Sequence, residues 1–117
     1  MHEAAIIEDV IRQVLHEGEK NRLVKISMVF LTVGRLHHLV LETMTELFDL
    51  MKKEFPILNQ ATLKVDMDPL RFVCRSCGQE TEADAPSFSC PACRSVNIQI
   101  LSGYELILAR IEGEQNE

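Results

Sequence analysis

Four cysteines stand in two pairs, Cys74-Arg75-Ser76-Cys77 and Cys90-Pro91-Ala92-Cys93, with twelve residues between the pairs. Two residues inside each pair let both sulfurs turn toward one point, and the intervening loop brings the pairs together. Four thiolates in that arrangement are the donor set of a structural zinc site, closed to substrate and contributing directly to folding. Gly78, directly after the first pair, offers the permissive backbone that such a turn often needs. The competing reading is two disulfides, which belong to a secreted, oxidising setting. No basic stretch followed by an apolar core opens the chain, so no secretory signal is readable. The longest solidly apolar run, Met28 to Leu31, is far short of the ~20 residues a membrane helix requires. The expectation is Zn(II) on Cys74, Cys77, Cys90 and Cys93, in a cytoplasmic protein without a membrane span.

The opening Met1-His2-Glu3 is the second place where chemistry is legible. It offers the α-amine of Met1, the imidazole of His2, and the backbone amide nitrogens of His2 and Glu3. These four nitrogens lie on one continuous piece of chain and can close fused chelate rings in a plane. Square-planar nitrogen coordination favours Ni(II) or Cu(II) over zinc, which prefers a tetrahedron. Taken alone, the tripeptide is weak evidence, since a histidine at position 2 is most often just a solvated side chain.

The elements that must carry these two groups follow from apolar spacing. Residues 4–20 place Ile6, Ile7, Val10, Ile11, Val14 and Leu15 at helical intervals, with Gly18 weakening the last turn. Val24 to Val33 is apolar on both faces and suits a central strand, ended by Gly34. A second helix is expected from about Leu39 to Phe55, with Leu41, Met44, Leu47, Phe48 and Met51 on one stripe and Pro56 closing it. Residues 61–67 alternate as a half-buried strand, and Pro69 breaks it. After Gly103 a third strand, Tyr104 to Ile111, precedes a polar tail. The expected fold is α+β. A small three-stranded sheet with two helices forms one domain of residues 1–68 and 103–117, and residues 69–102 are an inserted, zinc-ribbon-like module. Gly103, at the return from the module, is a candidate hinge for domain exchange.

With 18 acidic against 12 basic residues, the net charge is -6, which argues against a general nucleic-acid or anionic-membrane surface. Within 69–102, Glu80, Glu82 and Asp84 balance Arg71, Arg75 and Arg94, so the cysteine module itself is near neutral.

The chain resembles the HypA/HybF family of nickel-insertion accessory proteins for nickel–iron hydrogenases. The matching residues are Met1-His2-Glu3 and the helix after it, Thr32-Val33-Gly34-Arg35-Leu36, the two cysteine pairs, and Leu101-Ser102-Gly103-Tyr104-Glu105-Leu106. The resemblance implies nickel held through His2 and the Met1 amine with Glu3 assisting, and structural zinc on the four cysteines. It implies a metallochaperone, not an enzyme. The implied partners are an accessory GTPase of the HypB kind and the hydrogenase large subunit, with urease as a further client in some members. The chain departs from the family at Arg94, where many members have Gly or His, and at His37 and His38, where small residues are common. Residues 69–102 contain no histidine, so a metal site there must be all-thiolate.

Other classes fit less of the chain. A zinc-ribbon module binding nucleic acid or protein explains the cysteines but neither the acidity nor the Met-His-Glu opening. A dithiol oxidoreductase uses one Cys-x-x-Cys pair, and here two are matched. No nucleophile–base pair or phosphate loop is readable. His37 and His38 are either an auxiliary metal site or surface bystanders, and His16 lies on the polar helix face. The Glu42, Glu46, Asp49 and Glu54 series reads as a solvated face. A monomer or weak dimer is expected.

Overall fold

The protein is described here by a computed structural model covering residues 3–83 and 88–115. Met1, His2 and Asp84 lie outside the described residues. The chain divides into two units, one of Met1–Leu31, Leu39–Asp66 and Ile107–Glu117, the other of Thr32–His38 and Met67–Leu106.

In the first unit, helix α1 (Glu3–Lys20) buries Ile6, Ile7, Val10, Ile11 and Val14 along one stripe. Strand β1 (Leu23–Gly34) is the centre of a three-stranded sheet, flanked by β2 (Thr62–Asp68) and β6 (Leu106–Gln115). Both its edges are paired; Val29, Leu31 and Val33 are buried on one face, while Met28, Phe30 and Thr32 on the other are half-buried. Gly18 also belongs to the buried stripe of α1. A Cβ there would come within 3.0 Å of Ile26 Cδ1, so the residue that weakens the last turn lets helix and strand approach.

Helix α2 (Leu41–Met51) packs against α1 and buries Met44 and Phe48. It is shorter than the spacing predicts at both ends. Leu39 is buried ahead of the helix, on a segment in which Val40 is already extended, and Leu41 faces solvent. At the other end two short 3-10 turns, Lys52–Glu54 and Pro56–Leu58, replace the last helical turns. Phe55 between them is extended (φ -124, ψ 103), the backbone that a following proline imposes. Lys52 secures this turn by donating from Nζ to the Ala61 carbonyl at 2.7 Å.

Strand β6 runs four residues beyond the expected Ile111, into what reads as a polar tail. Its partners explain the extension. Gln115 donates to the Asn21 carbonyl at 3.0 Å, Ser27 donates to the Glu112 carbonyl at 3.2 Å, and the Arg110 guanidinium sits 4.1 Å from the Phe30 ring centre. The partner numbers fall along β6 as they rise along β1, so the two strands are antiparallel.

The second unit contains a second sheet, with β3 (Leu70–Cys74) between β4 (Glu80–Ala83) and β5 (Ile98–Ser102). Both pairings are antiparallel: Leu70 faces Ala83 and Val73 faces Glu80 on one side, while Cys74 faces Ile98 on the other. Leu70, Phe72 and Cys74 alternate into its core, joined by Cys90. In the same unit the turn Arg35–His37 is fastened to residues 103–105. Gly34 N–H donates to the Glu105 carbonyl at 2.6 Å, and Leu36 N–H donates to the Gly103 carbonyl at 2.9 Å. Gly34 has no alternative residue here, because a Cβ would overlap the Gly103 carbonyl. Gly103 itself is at φ 122, and its N–H donates to Glu105 Oε1 at 2.6 Å.

Candidate metal centre

The four sulfurs converge. One ligand atom from each of Cys74, Cys77, Cys90 and Cys93 lies within 4.8 Å of all the others, and none of the four is in a disulfide. The pairs Cys74–Cys93 and Cys77–Cys90 are each 3.6 Å apart. A tetrahedron with metal–sulfur bonds of about 2.3 Å has edges of about 3.8 Å, close to these two separations, so the donor set fits zinc. Among the described residues, no other group of three or more His, Cys, Asp or Glu side chains is close enough to share an ion.

Two turns of identical hydrogen bonding present the sulfurs. In the first, Cys74 N–H donates to the Gln79 carbonyl (2.9 Å) and Gly78 N–H to the Cys74 carbonyl (2.8 Å). In the second, Cys90 N–H donates to the Ser95 carbonyl (2.8 Å) and Arg94 N–H to the Cys90 carbonyl (2.7 Å). The turns are tied together by the Ser76 and Ser95 hydroxyls, 3.0 Å apart, and by Arg75 N–H donating to the Asn97 carbonyl at 2.9 Å. Each turn contributes one buried cysteine, Cys74 or Cys90, and one exposed, Cys77 or Cys93.

The same turns set the charges. Backbone N–H donation, first from Cys77, holds the Cys74 thiol down to about 6, and donation from Cys93 lowers Cys90 likewise. Cys77 receives the Gln79 N–H, yet the Cys90 thiol and burial outweigh it and push Cys77 up to about 12. Cys93 rises for the corresponding reason, its Ser95 N–H being outweighed first by Cys74. Without a metal, four thiolates cannot share so small a volume, and two retain their protons. A divalent cation removes that conflict and must displace those protons to bind.

At the other end of the chain, Glu3 opens α1, and its carboxylate accepts from Val40 N–H at 3.1 Å. Met1 and His2, the remaining expected nickel donors, lie outside the described residues. His37 is placed plainly: its Nε2 lies 2.7 Å from the Tyr104 carbonyl, so Nε2–H donates there. His38 occupies the left-handed backbone position (φ 54) that ends the same short turn. The His37 contact is not legible in the sequence, since it depends on a backbone group far along the chain, whereas His38 N–H meets only the nearby Arg35 carbonyl.

Comparison with known proteins bears on the whole chain. Residues 1–113 match the family described as "Hydrogenase/urease nickel incorporation, metallochaperone, hypA". A hydrogenase maturation factor HypA from Shewanella baltica is 31% identical over 117 residues, covering 100% of this chain and 99% of the relative. One from Campylobacter jejuni is 27% identical over 111 residues, covering 95% and 97%. In fold, the chain is similar to the solution structure of the Ni metallochaperone HypA from Helicobacter pylori. The TM-score is 0.71 at 22% identity, over 99% of this chain and 100% of that one.

Proposed function

This chain belongs to the HypA family of hydrogenase and urease nickel-incorporation metallochaperones, and from that premise we propose that it holds its Ni(II) cargo at the extreme N-terminus. The donors are the Met1 amine, the His2 imidazole and the amide nitrogens of His2 and Glu3. The observation that supports this reading is that the family match includes the Met-His-Glu opening and α1 begins at Glu3. The first N–H groups of a helix have no intrahelical acceptor, so the Glu3 amide can give up its proton to a metal without breaking the helix. Two deprotonated amides also neutralise the charge of Ni(II), which would otherwise sit badly at the positive end of α1.

Release needs the opposite property. Donors strung along a chain end can be replaced one at a time by a partner's ligands, and each replaced donor can be reprotonated. The chain is a carrier in this reading, without catalysis of its own. It works within the hydrogenase maturation machinery, with an accessory GTPase of the HypB kind supplying nucleotide energy and the hydrogenase large subunit receiving nickel. Urease is a second client by the family description.

Zn(II) is the resident ion, held by Cys74, Cys77, Cys90 and Cys93, where it supplies a cross-link between the two turns. The working division is a nickel-binding domain of residues 1–68 and 103–117 with the zinc module 69–102 inserted. Four reduced thiols suit a cytoplasmic setting. No helix among the described residues is long and apolar enough to cross a membrane.

The test is a nickel titration on protein with its native, untagged N-terminus. Wild type is expected to bind tightly and His2→Ala to lose that binding, with zinc content unchanged. Wild-type affinity in His2→Ala would place the nickel site elsewhere.

A further inference from the structure

Helix α2 begins without a capping side chain of its own. Its N-cap position is Val40, extended at φ -90 and ψ 114, and valine has no side-chain oxygen to offer the first turn. A carboxylate arrives instead from 37 residues earlier in the chain: Glu3 accepts the Val40 N–H at 3.1 Å. A negative group at this end of a helix is favoured by the orientation of its peptide dipoles. The contact joins the first turn of α1 to the start of α2, two helices already packed on one another.

We propose that Glu3 serves nickel as a positioning residue, its carboxylate anchoring the start of α1 to the start of α2 while only its amide nitrogen meets the metal. The inference rests on the terminal nickel site proposed above. Four nitrogens complete a square plane, so the site needs no carboxylate oxygen. What it needs is a fixed origin. Residue 3 carries the last donor of the continuous set, and its side chain holds that residue to a second element. An anchored donor leaves less freedom to be lost when the rings close on the ion, the general advantage of preorganisation. Val40 is one of the groups this carboxylate meets, so the anchor can have further strands to it.

Two separate measurements test the role in the full-length, zinc-loaded protein with a native N-terminus. The first is amide hydrogen exchange at Val40, without nickel. Exchange is expected to be slow in wild type, near wild type in Glu3→Gln, which keeps an acceptor oxygen, and about two- to fivefold faster in Glu3→Ala. The second is a titration with Ni(II). Glu3→Ala is expected to weaken binding about three- to tenfold, Glu3→Gln to change it by less than about twofold. Val40→Pro, which removes the donor N–H, should reproduce the Glu3→Ala loss, and the double variant should be no worse than either alone.

Equal nickel losses in Glu3→Gln and Glu3→Ala would make the carboxylate a ligand and overturn the proposal. Val40 exchange unaffected by Glu3→Ala would overturn it as well, whatever nickel does. Wild-type nickel affinity in His2→Ala overturns the terminal site and this role with it. That failure is recognisable because slow Val40 exchange, read without nickel, persists in the His2→Ala variant.

Discussion

Gly78 and Arg94 occupy the same position in the two cysteine turns, each the fourth residue after the first cysteine of its pair and each donating its N–H back to that cysteine's carbonyl. Both are left-handed, at φ 81 and φ 63. Glycine takes this conformation freely, whereas arginine must hold its Cβ against the following carbonyl at a cost of about 1–2 kcal/mol. The chain therefore runs one turn relaxed and the other strained. The departure from the family at position 94 is a backbone matter before it is a question of charge.

Exchanging the two situations gives a direct test. Gly78→Ala is expected to destabilise the metal-loaded protein by about 1 kcal/mol through strain alone. Nothing lies within 4 Å of the new Cβ, so no clash adds to it. Arg94→Asn, which tolerates the left-handed region, is expected to stabilise by up to about 1 kcal/mol. Thermal unfolding of the zinc-loaded proteins reads both changes, and a stabilising Gly78→Ala would refute the strain account.

Zinc uptake should liberate protons. Cys77, pushed up to about 12, and Cys93, also raised, are thiols at neutral pH and must become thiolates in the loaded site. Binding therefore strengthens as pH rises and weakens as it falls, with at least two protons released per ion by the two raised thiols. Calorimetric titration in two buffers of different ionisation enthalpy measures that number, and a release clearly below two protons would contradict the assignment. Cys74→Ser should lower zinc content from about one per chain and disorder the turns around the site, while α1 and α2 persist.

Nickel affinity should follow a different pH course. An unperturbed imidazole titrates near about 6.5 and an α-amine near about 7.7–8.0, and both must be neutral to bind, with amide protons also lost. Lowering the pH from about 7.5 to about 6 should weaken nickel binding steeply. N-terminal acetylation, or one residue added before Met1, should weaken it at any pH. An affinity unchanged by acetylation would exclude the amine.

Gly34→Ala should be among the most damaging single methyl additions in the chain. The new Cβ would overlap the Gly103 carbonyl, a backbone group with little room to yield. A loss of about 3 kcal/mol or more is expected, together with faster exchange of the Leu36 amide. A Gly34→Ala protein of wild-type stability would show that this approach is not close in solution.

His37→Ala separates fastening from metal binding. It removes the Nε2–H donated to the Tyr104 carbonyl and should cost about 1 kcal/mol of stability. Nickel titration of the same variant should match wild type. A lost nickel equivalent would promote His37 from fastener to ligand.

The parts of the molecule legible in the sequence are those that local spacing determines. The stripe of Ile6, Val10, Ile11 and Val14, the two-sided β1 and the alternation of β2 all lie where their patterns place them. The cysteine pairs converge as their spacing predicts. Less legible were features set by distant backbone atoms. Helix α2 gives way early to a 3-10 turn fastened by Lys52 on the Ala61 carbonyl, and β6 outruns its apolar stretch because Ser27 and Asn21 give its polar end partners. The β3–β4–β5 sheet was missed because its strands of four or five residues are too short to establish a period. The carboxylate of Glu3 meets the Val40 N–H, a contact with a residue 37 positions away that no local pattern shows.

The pairing of one buried and one exposed cysteine in each turn gives the site a direction of chemical attack. An alkylating reagent, an oxidant or a competing chelator arriving from solvent meets Cys77 and Cys93 before Cys74 and Cys90. Disassembly should accordingly begin with the second cysteine of each pair, leaving an ion still gripped by two inner sulfurs on separate turns. Timed alkylation of zinc-loaded protein followed by mass spectrometry would record that order, and early labelling of Cys74 or Cys90 would contradict it. A half-dismantled site of this kind keeps the two turns joined after it has begun to react, so a rim sulfur that is reversibly oxidised can be reduced and bind again, whereas an alkylated one cannot.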